Sequence, residues 1–363
     1  MTTVAYHAPY PLNPKATSAS GIRPVKMKQA FESLGYEVID LTGNAKTRAS
    51  ALQRLKADLD RGRKIDLCYS ESATIPNMVT EPKHFPLHPF LDRRLLKTLH
   101  QAGVPIGLFY RDIYWKYDDY RQRVGWPLAT INTRMYHWDL ATYRAFVDRL
   151  FVPSLKMAAE VPGYPLEQAV ALPPGAQIRD TDTEIDGVRI LYIGALGGHY
   201  RTDLLFEAVA QTPGVELTVC TGAAGWESAK PELERFLSDR IRVVHKSGEE
   251  LNELYDWATV CSIYMRPDEY RSFAQPMKVY EYLGAGKPII ASARTMAGDF
   301  ITEGDCGWTI PYDLTAAKEL LGRLAADPSE IVTRSEQAKV VRQNHTWEAR
   351  AQFVIDTLPV INK

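Results

Sequence analysis

The 363-residue chain has no stretch of about 18 apolar residues, the length needed to span a bilayer, and its start, MTTVAYHAPYPLNPKA, has neither an apolar signal core nor a basic leader. It is therefore expected in the cytoplasm or peripherally on the inner face of a membrane. Cysteine is scarce: Cys68, Cys220, Cys261 and Cys306 stand alone, without the paired spacing of a zinc site, and three of them sit in strand-like apolar runs. That pattern excludes a disulfide framework and reads as buried thiols in a reducing compartment. Histidines are dispersed and Asp118-Asp119 has no third ligand nearby, so no metal site is expected. There is no tandem repeat, no low-complexity tract and no excess of one charge, with 43 Lys and Arg against 44 Asp and Glu. Disorder, solenoids and a nucleic-acid-binding domain are disfavoured by that balance.

What is present is an alternation of short β-branched or apolar runs with amphipathic stretches, the pattern of parallel sheets with crossover helices. At roughly 100–200 residues per domain the length predicts two domains. The first α/β unit, residues 1–175, has strands at Val4–Tyr6, Glu37–Leu41, Ile65–Ser70, Pro105–Tyr110, Leu150–Val152 and Gln168–Leu172, with helices near Pro24–Leu34, Ser50–Arg61 and Phe90–Ala102. An aromatic and basic insertion at 111–146 breaks its pattern. A polar stretch from Pro173 to Asp186, with Asp180, Asp182, Glu184 and Asp186, reads as a linker. The second unit, 176–345, has strands at Val188–Ile193, Glu216–Cys220, Ile241–Val244, Val260–Ile263 and Pro288–Ala291, and a terminal helix is expected at 346–363. Two such units facing each other would hold a ligand where the C-terminal ends of their strands meet. Charge is split between them, with 23 basic and 16 acidic residues up to Gly175 and 20 and 28 beyond it. The first half is thus suited to something anionic, such as a phosphorylated ligand or a membrane surface.

The strongest local signal is Pro276-Met277-Lys278-Val279-Tyr280-Glu281-Tyr282, followed by Gly284-Ala285-Gly286-Lys287-Pro288 and the apolar run Ile289–Ser292. Lys278 and Glu281 are three apart and share one helix face, at a helix start whose free N–H groups attract an anion. A cation there suits a diphosphate, and a carboxylate one turn on suits the two hydroxyls of a ribose. A surface Lys–Glu pair would look the same in isolation.

The run PMKVYEYLGAGKPIIAS resembles the P-x-K-x-x-E-Y-x-x-x-G-K-P-V-x-A-S signature of nucleotide-sugar glycosyltransferases of the GT-B class, nearest to glycosyltransferase family 4 and its relatives. LYIGALGGHYRTDLLFEAVA resembles the opening strand, loop and helix of that class, and TWEARAQFVIDTL its terminal helix, which crosses back to the first domain. The resemblance implies an α/β fold of two facing Rossmann-like domains and transfer of a sugar from a nucleotide diphosphate sugar, UDP- or GDP-linked, to a hydroxyl of a carbohydrate or lipid-linked acceptor in polysaccharide or glycoconjugate synthesis. It implies that Lys278 contacts the donor phosphates, that Glu281 binds the ribose, and that Arg201 and the loop at Gly194 border the diphosphate. No cofactor is implied, since the class can stabilise the leaving diphosphate with Lys, Arg and helix N-termini in place of a divalent cation. Two positions depart from the family: Ala195 stands where an Arg is frequent and Phe273 where a Glu is common, with Glu269, Arg271 and Ser272 as substitutes toward the sugar. These departures keep open a non-catalytic nucleotide-sugar or glycan-binding protein, and the scaffold keeps open a nucleotide-sugar epimerase.

In the first unit, Ser18, Ser20 and Gly21 precede the expected helix and form a cradle for phosphate or sugar, or merely a capped connection. Arg111-Asp112 follows a buried strand, where α/β folds carry reactive groups. Asp112 is the leading catalytic candidate, a general base toward the acceptor in an inverting enzyme and an orienting group in a retaining one, with a structural Arg–Asp pair as the alternative. His7, Glu71 and Arg111 are further acceptor-side candidates. The insertion carries Tyr114, Trp115, Tyr117, Tyr120, Trp126, Tyr136, Trp138 and Tyr143 among its basic residues, which suits an anionic membrane surface, a glycan groove or internal packing.

Overall fold

The computed structural model describes residues 2–181, 183–198 and 200–358. Asp182 of the acidic stretch, His199 of the glycine-rich loop and the end of the terminal segment, 359–363, lie outside the described residues. Two compact units divide the chain, one of residues up to Pro173 together with the segment from Trp347, the other Pro174–Thr346.

The first unit runs β1 (Thr3–His7), α1 (Ala19–Ser33), β2 (Glu37–Leu41), α2 (Ala45–Asp60), β3 (Leu67–Glu71), α3 (Leu91–Gln101), β4 (Ile106–Phe109), α4 (Asp118–Val124), α5 (Trp126–Phe146), β5 (Arg149–Val152), α6 (Leu155–Ala159) and β6 (Ala169–Ala171). Its six strands are all parallel, in the order β2-β1-β3-β4-β5-β6. Every residue of β1, β3 and β4 is buried, as expected of strands covered by helices on both faces. Tyr6, Phe31, Tyr69 and Phe151 pack as one aromatic cluster with ring centroids 5.6–6.4 Å apart. The buried hydroxyls of Tyr6 and Tyr69 are satisfied by Pro24 O and Glu71.

The second unit runs β7 (Val188–Ile193), α7 (Asp203–Gln211), β8 (Val215–Cys220), α8 (Ala223–Leu233), β9 (Ile241–Val244), α9 (Leu251–Trp257), β10 (Val260–Ile263), α10 (Met277–Gly284), β11 (Ile289–Ser292), α11 (Met296–Gly304), β12 (Gly307–Ile310), α12 (Leu314–Ala326) and α13 (Ser329–Val341). Its parallel sheet has the order β12-β11-β10-β7-β8-β9. The last helix, α14 (Trp347–Thr357), belongs to the first unit and packs on α1, with Ser33 Oγ donating to Glu348 and Tyr36 Oη to Gln352. Among the described residues, no helix is long and apolar enough to cross a membrane. All four cysteines are free and buried.

The structure departs from the sequence expectations in four places. Helix α1 begins one turn earlier than Pro24, so Ser20 and Gly21 lie inside its first turn and not before it. Pro24 has no N–H to give the carbonyl of Ser20, four residues back, and Arg111 Nη1 supplies the missing hydrogen bond at 2.9 Å. The segment 111–146 is not irregular: it is mostly α4 and the 21-residue α5, which buries Ala129, Tyr136, Leu140 and Tyr143 along one side. Strand β12, absent from the sequence reading, extends the second sheet beside β11. The acidic stretch is strapped to the second unit, where Arg179 N–H donates to Gly284 O at 3.0 Å, Arg342 pairs with Asp180 at 2.5 Å and Arg179 pairs with Asp256 at 2.9 Å.

Candidate active site

In the second unit the strand order reverses between β7 and β10, the position where doubly wound sheets open a crevice at the carboxyl ends of their strands. The loop leaving β7 is tight. Tyr192 Oη donates to Ala195 O at 2.6 Å, a Cβ on Gly194 would stand 2.8 Å from that hydroxyl, and Gly197 and Gly198 both have positive φ. Beyond it, Arg201 extends half-exposed and pairs with Asp203 at 3.2 Å, while its carbonyl accepts from Tyr312 Oη and the Arg266 N–H.

Helix α10 follows β10. Its N-cap is Pro276 and no side chain caps it, the Val279 N–H donating to Pro276 O at 3.2 Å; a helix start of this kind attracts an anion. Lys278 and Glu281 form an ion pair one turn apart, each about three-quarters buried, and Tyr255 Oη donates to Glu281 at 3.5 Å. The helix is anchored to the end of β7 by the Ile193 N–H, which donates to Tyr282 Oη at 2.8 Å. Burial raises the pKa of the Cys220 thiol at the end of β8, while the nearby ammonium groups of Lys278 and Lys246 oppose that shift. Lys278 and Lys246 thus both lie near Cys220 at the carboxyl end of β8, with Lys246 paired to Glu253 of α9. Arg271 is turned to Asp268 and Arg266 O, Ser272 Oγ donates to Glu269 O, and Phe273 is buried against Tyr270 with centroids 5.3 Å apart.

In the first unit the strand order reverses between β1 and β3, whose ends carry His7, Ser70 and Glu71. His7 Nδ1 lies 2.8 Å from Ser70 Oγ, its Nε2 lies 3.1 Å from Asp92, and Arg48 Nε lies 2.9 Å from the same carboxylate. All four side chains of this Ser–His–Asp–Arg arrangement are buried. Burial pushes the Asp92 carboxyl up, but hydrogen bonds and charge from His7 and Arg48 hold it below the ordinary value.

Glu71 is fully enclosed. It accepts from Arg23 Nε at 3.2 Å, Arg111 Nη2 at 3.1 Å and Tyr69 Oη at 2.8 Å. Arg111 also donates to Ser72 O, Ser20 O and Tyr10 Oη at 2.7–2.9 Å. It therefore clamps the first turn of α1 to the ends of β3 and β4. Gly21 sits at this clamp, where a Cβ would come within 2.5 Å of Ala16 Cβ, and Ser20 Oγ lies exposed 3.2 Å from Ser18 Oγ.

The ion pair of Arg111 is with Glu71, not with its neighbour Asp112. Asp112 accepts the Tyr114 N–H at 3.3 Å, and burial raises its pKa against the opposing charge of Arg111. It lines a cavity of about 600 Å³ with Thr74, Tyr114, Tyr120, Arg123 and Tyr136. The aromatic segment divides in two: Trp115, Tyr120, Tyr136 and Tyr143 are core, with Trp115 stacked on Tyr136 at 5.0 Å, whereas Trp126 and Trp138 are exposed.

The sequence reading did not single out Tyr255, Lys246 or Arg23. The position of Lys246 just after a predicted strand is a usable signal. Arg23 gives none, because Glu71 is 48 residues away. Among the described residues no group of three or more His, Cys, Asp or Glu side chains is placed to hold a metal.

Residues 187–327 match the family described as Glycosyl transferases group 1. A search of curated proteins finds no match. Solved structures similar to this chain include sucrose-phosphate synthase from Thermosynechococcus elongatus, at 17% identity over 98% of this chain and 97% of that one, with a TM-score of 0.61. Anabaena HepE in complex with UDP and glucose matches at 12% identity over 98% and 99%, TM-score 0.62. WaaG, a glycosyltransferase involved in lipopolysaccharide biosynthesis, matches at 14% identity over 99% and 100%, TM-score 0.58. The chain has the GT-B fold of two Rossmann-like units, and the match to the group 1 glycosyltransferases falls within the second of them.

Proposed function

We propose that this glycosyltransferase moves a sugar from a nucleotide diphosphate sugar to a hydroxyl of a carbohydrate or lipid-linked acceptor, in polysaccharide or glycoconjugate synthesis. The observation that carries the reading is the Lys278–Glu281 pair on the first turns of α10, beside the strand-order reversal and inside the matched segment. Lys278 and the start of α10 receive the diphosphate, Glu281 accepts from the ribose hydroxyls, and Arg201 with the turn at Gly194 borders the phosphates. HepE has been solved with UDP and with UDP-glucose, which supports a uridine donor over a guanosine one.

In the reaction the bond between the sugar's anomeric carbon and the diphosphate oxygen breaks, and a bond to the acceptor oxygen forms. The nucleoside diphosphate leaves with the bond electrons, its growing charge met by Lys278 and the helix end. The acceptor's proton passes to a base. Asp112 takes that role if configuration is inverted, and orients the acceptor if it is retained. The anomer of the product decides between them.

The test is a thermal-shift panel of UDP, GDP, ADP, dTDP and CMP and their sugar conjugates, with and without Mg²⁺, since a ligand that binds only the folded state raises the melting temperature. A selective shift by one diphosphate series, lost in Lys278→Ala, is expected. Donor binding without turnover of any offered acceptor would assign the chain to the non-catalytic reading, and an isomerised donor to an epimerase.

A further inference from the structure

The cavity at Asp112 is a groove within the first unit, and its volume of about 600 Å³ lies in the range of small-molecule sites. One wall is a stripe of α5, Leu128, Ile131 and Met135, at the spacing of a single helix face, and the facing wall is Phe85 and Pro86. Leu128 is 52% exposed, Ile131 48% and Phe85 67%. An adjoining face of α5, with Ala129, Tyr136, Leu140 and Tyr143, is already buried in the unit, and Tyr136 also lines the groove, so the apolar surface of this helix is wider than the face the unit covers.

Away from Asp112 and Arg123, several polar groups of the groove are engaged within the protein. Asn132 Nδ2 donates to Tyr120 Oη at 2.8 Å, Tyr136 Oη donates to Thr74 O at 2.8 Å, and His84 Nδ1 is bonded to Val79 O at 2.9 Å. Along the apolar walls a sugar or peptide would find few partners beyond Asp112 and Arg123, whereas hydrocarbon needs none. Charge enters at the edges. Arg123 lines the groove with its guanidinium 5.4 Å from the Tyr114 ring, and exposed Lys83 and Arg134 flank the lining residues His84 and Met135. An apolar trough bordered by cations and reaching a carboxylate fits an amphiphile whose anionic group lies next to its chain.

We propose that this groove binds the hydrocarbon chain of a lipid phosphate acceptor, with the phosphate against Arg123 and the hydroxyl to be glycosylated directed to Asp112. The inference rests on the glycosyltransferase reading and narrows its acceptor.

The test is calorimetric titration of the full chain with dodecyl phosphate below its micelle concentration, beside inorganic phosphate and an uncharged dodecyl ether. One-to-one binding of dodecyl phosphate is expected, weaker binding of the ether, and none of inorganic phosphate. Ile131→Asp places a charge on an already exposed wall and should weaken dodecyl phosphate roughly tenfold or more, the scale set by one buried aliphatic side chain. Leu128→Gln applies the same test more mildly, and Arg123→Gln should bring dodecyl phosphate to the level of the ether. Trp126→Ala, outside the groove, should change nothing. Absence of binding, or binding indifferent to Ile131→Asp and Leu128→Gln, overturns the proposal. So does sedimentation with phosphatidylglycerol vesicles that needs Trp126 while dodecyl phosphate does not bind, which would mark a bilayer-docking face. UDP-induced stabilisation is read on the same preparation: if it is present while dodecyl phosphate fails, the groove inference falls alone, and if it is absent, the donor reading falls.

Discussion

If Glu281 holds the ribose and Lys278 the diphosphate, each side chain should discriminate between ligands that differ at one group. In the free protein the two side chains bind each other on a partly open helix face, 30% and 26% exposed, and a pair so placed is worth about 0–1 kcal/mol to stability. Glu281→Gln and Lys278→Ala should therefore leave the melting temperature nearly unchanged. Binding is different, since a hydrogen bond to a charged group contributes about 1.5–3 kcal/mol, a factor of roughly 10–150 in affinity. Glu281→Gln should weaken UDP by that factor and leave 2′,3′-dideoxyuridine diphosphate, which lacks the hydroxyls, at its wild-type affinity. Lys278→Ala should weaken UDP comparably and leave uridine unaffected. Calorimetric titration of the two variants with the three ligands gives the full set. Equal losses for UDP and its dideoxy analogue in Glu281→Gln would refute the ribose assignment, and unchanged UDP affinity in Lys278→Ala would refute the phosphate assignment.

Glu71→Gln removes the carboxylate charge that pairs with the buried guanidinium groups of Arg23 and Arg111. It should cost about 3–5 kcal/mol in urea unfolding, and a loss under 1 kcal/mol would show that the clamp is dispensable. Asp139 is buried, and burial raises its carboxyl to about 7 against the N–H of Asn77. Its folded-state pKa is above the unfolded value of about 3.9, so the folded state holds the proton longer and stability falls as pH rises from about 4 to about 7. Asp139→Asn keeps an acceptor for Asn77 and should flatten that slope and raise stability at pH 8; an unchanged profile contradicts the assignment. Gly307→Ala puts a Cβ 2.0 Å from the Ile289 carbonyl oxygen of the paired strand. A loss of about 1–3 kcal/mol in thermal unfolding is expected, and an unperturbed protein would mean that β11 and β12 can separate without cost.

The parts of the fold legible in the sequence are those set by local chemistry. Runs such as Val188–Ile193 and Val260–Ile263 are strands with the same bounds in both readings, because β-branched and apolar side chains suit a pleat buried on both faces. The Lys278–Glu281 pair was visible because it is an i, i+3 contact. Helix α5 was hidden by its aromatic and β-branched composition, which lowers helix propensity, and by its wide apolar surface, which blurs the sidedness that marks a helix. Pro24 misplaced the start of α1, because proline favours the first helical position and nothing local shows that Arg111, 91 residues from Ser20, replaces the missing backbone bond. His7 and Glu71 were rightly placed at strand ends, but their engagement depends on Asp92, Arg48, Arg23 and Arg111, distant in sequence and close only after folding.

That engagement decides which carboxylate of the first unit is free to act as a base. Glu71 accepts from two guanidinium groups and a phenol, and Asp92 is bonded by His7 and Arg48, so both carboxylates are held in internal networks. Asp112 instead accepts the Tyr114 N–H at 3.3 Å and lines the groove, and burial raises its pKa. A base is most effective when its pKa approaches the working pH, so a raised value favours Asp112 over an ordinary surface carboxylate. The sign of the pH dependence follows if Asp112 is the base of an inverting reaction: kcat/KM should fall on the acid side as it gains its proton, with the midpoint displaced upward from the ordinary aspartate value. Asp112→Asn should abolish that limb and lower kcat while leaving the thermal shift with UDP intact, and Asp112→Glu should restore part of the rate. An Asp112→Asn enzyme that keeps both its rate and the acid limb would remove Asp112 from proton transfer and leave it a role in orienting the acceptor.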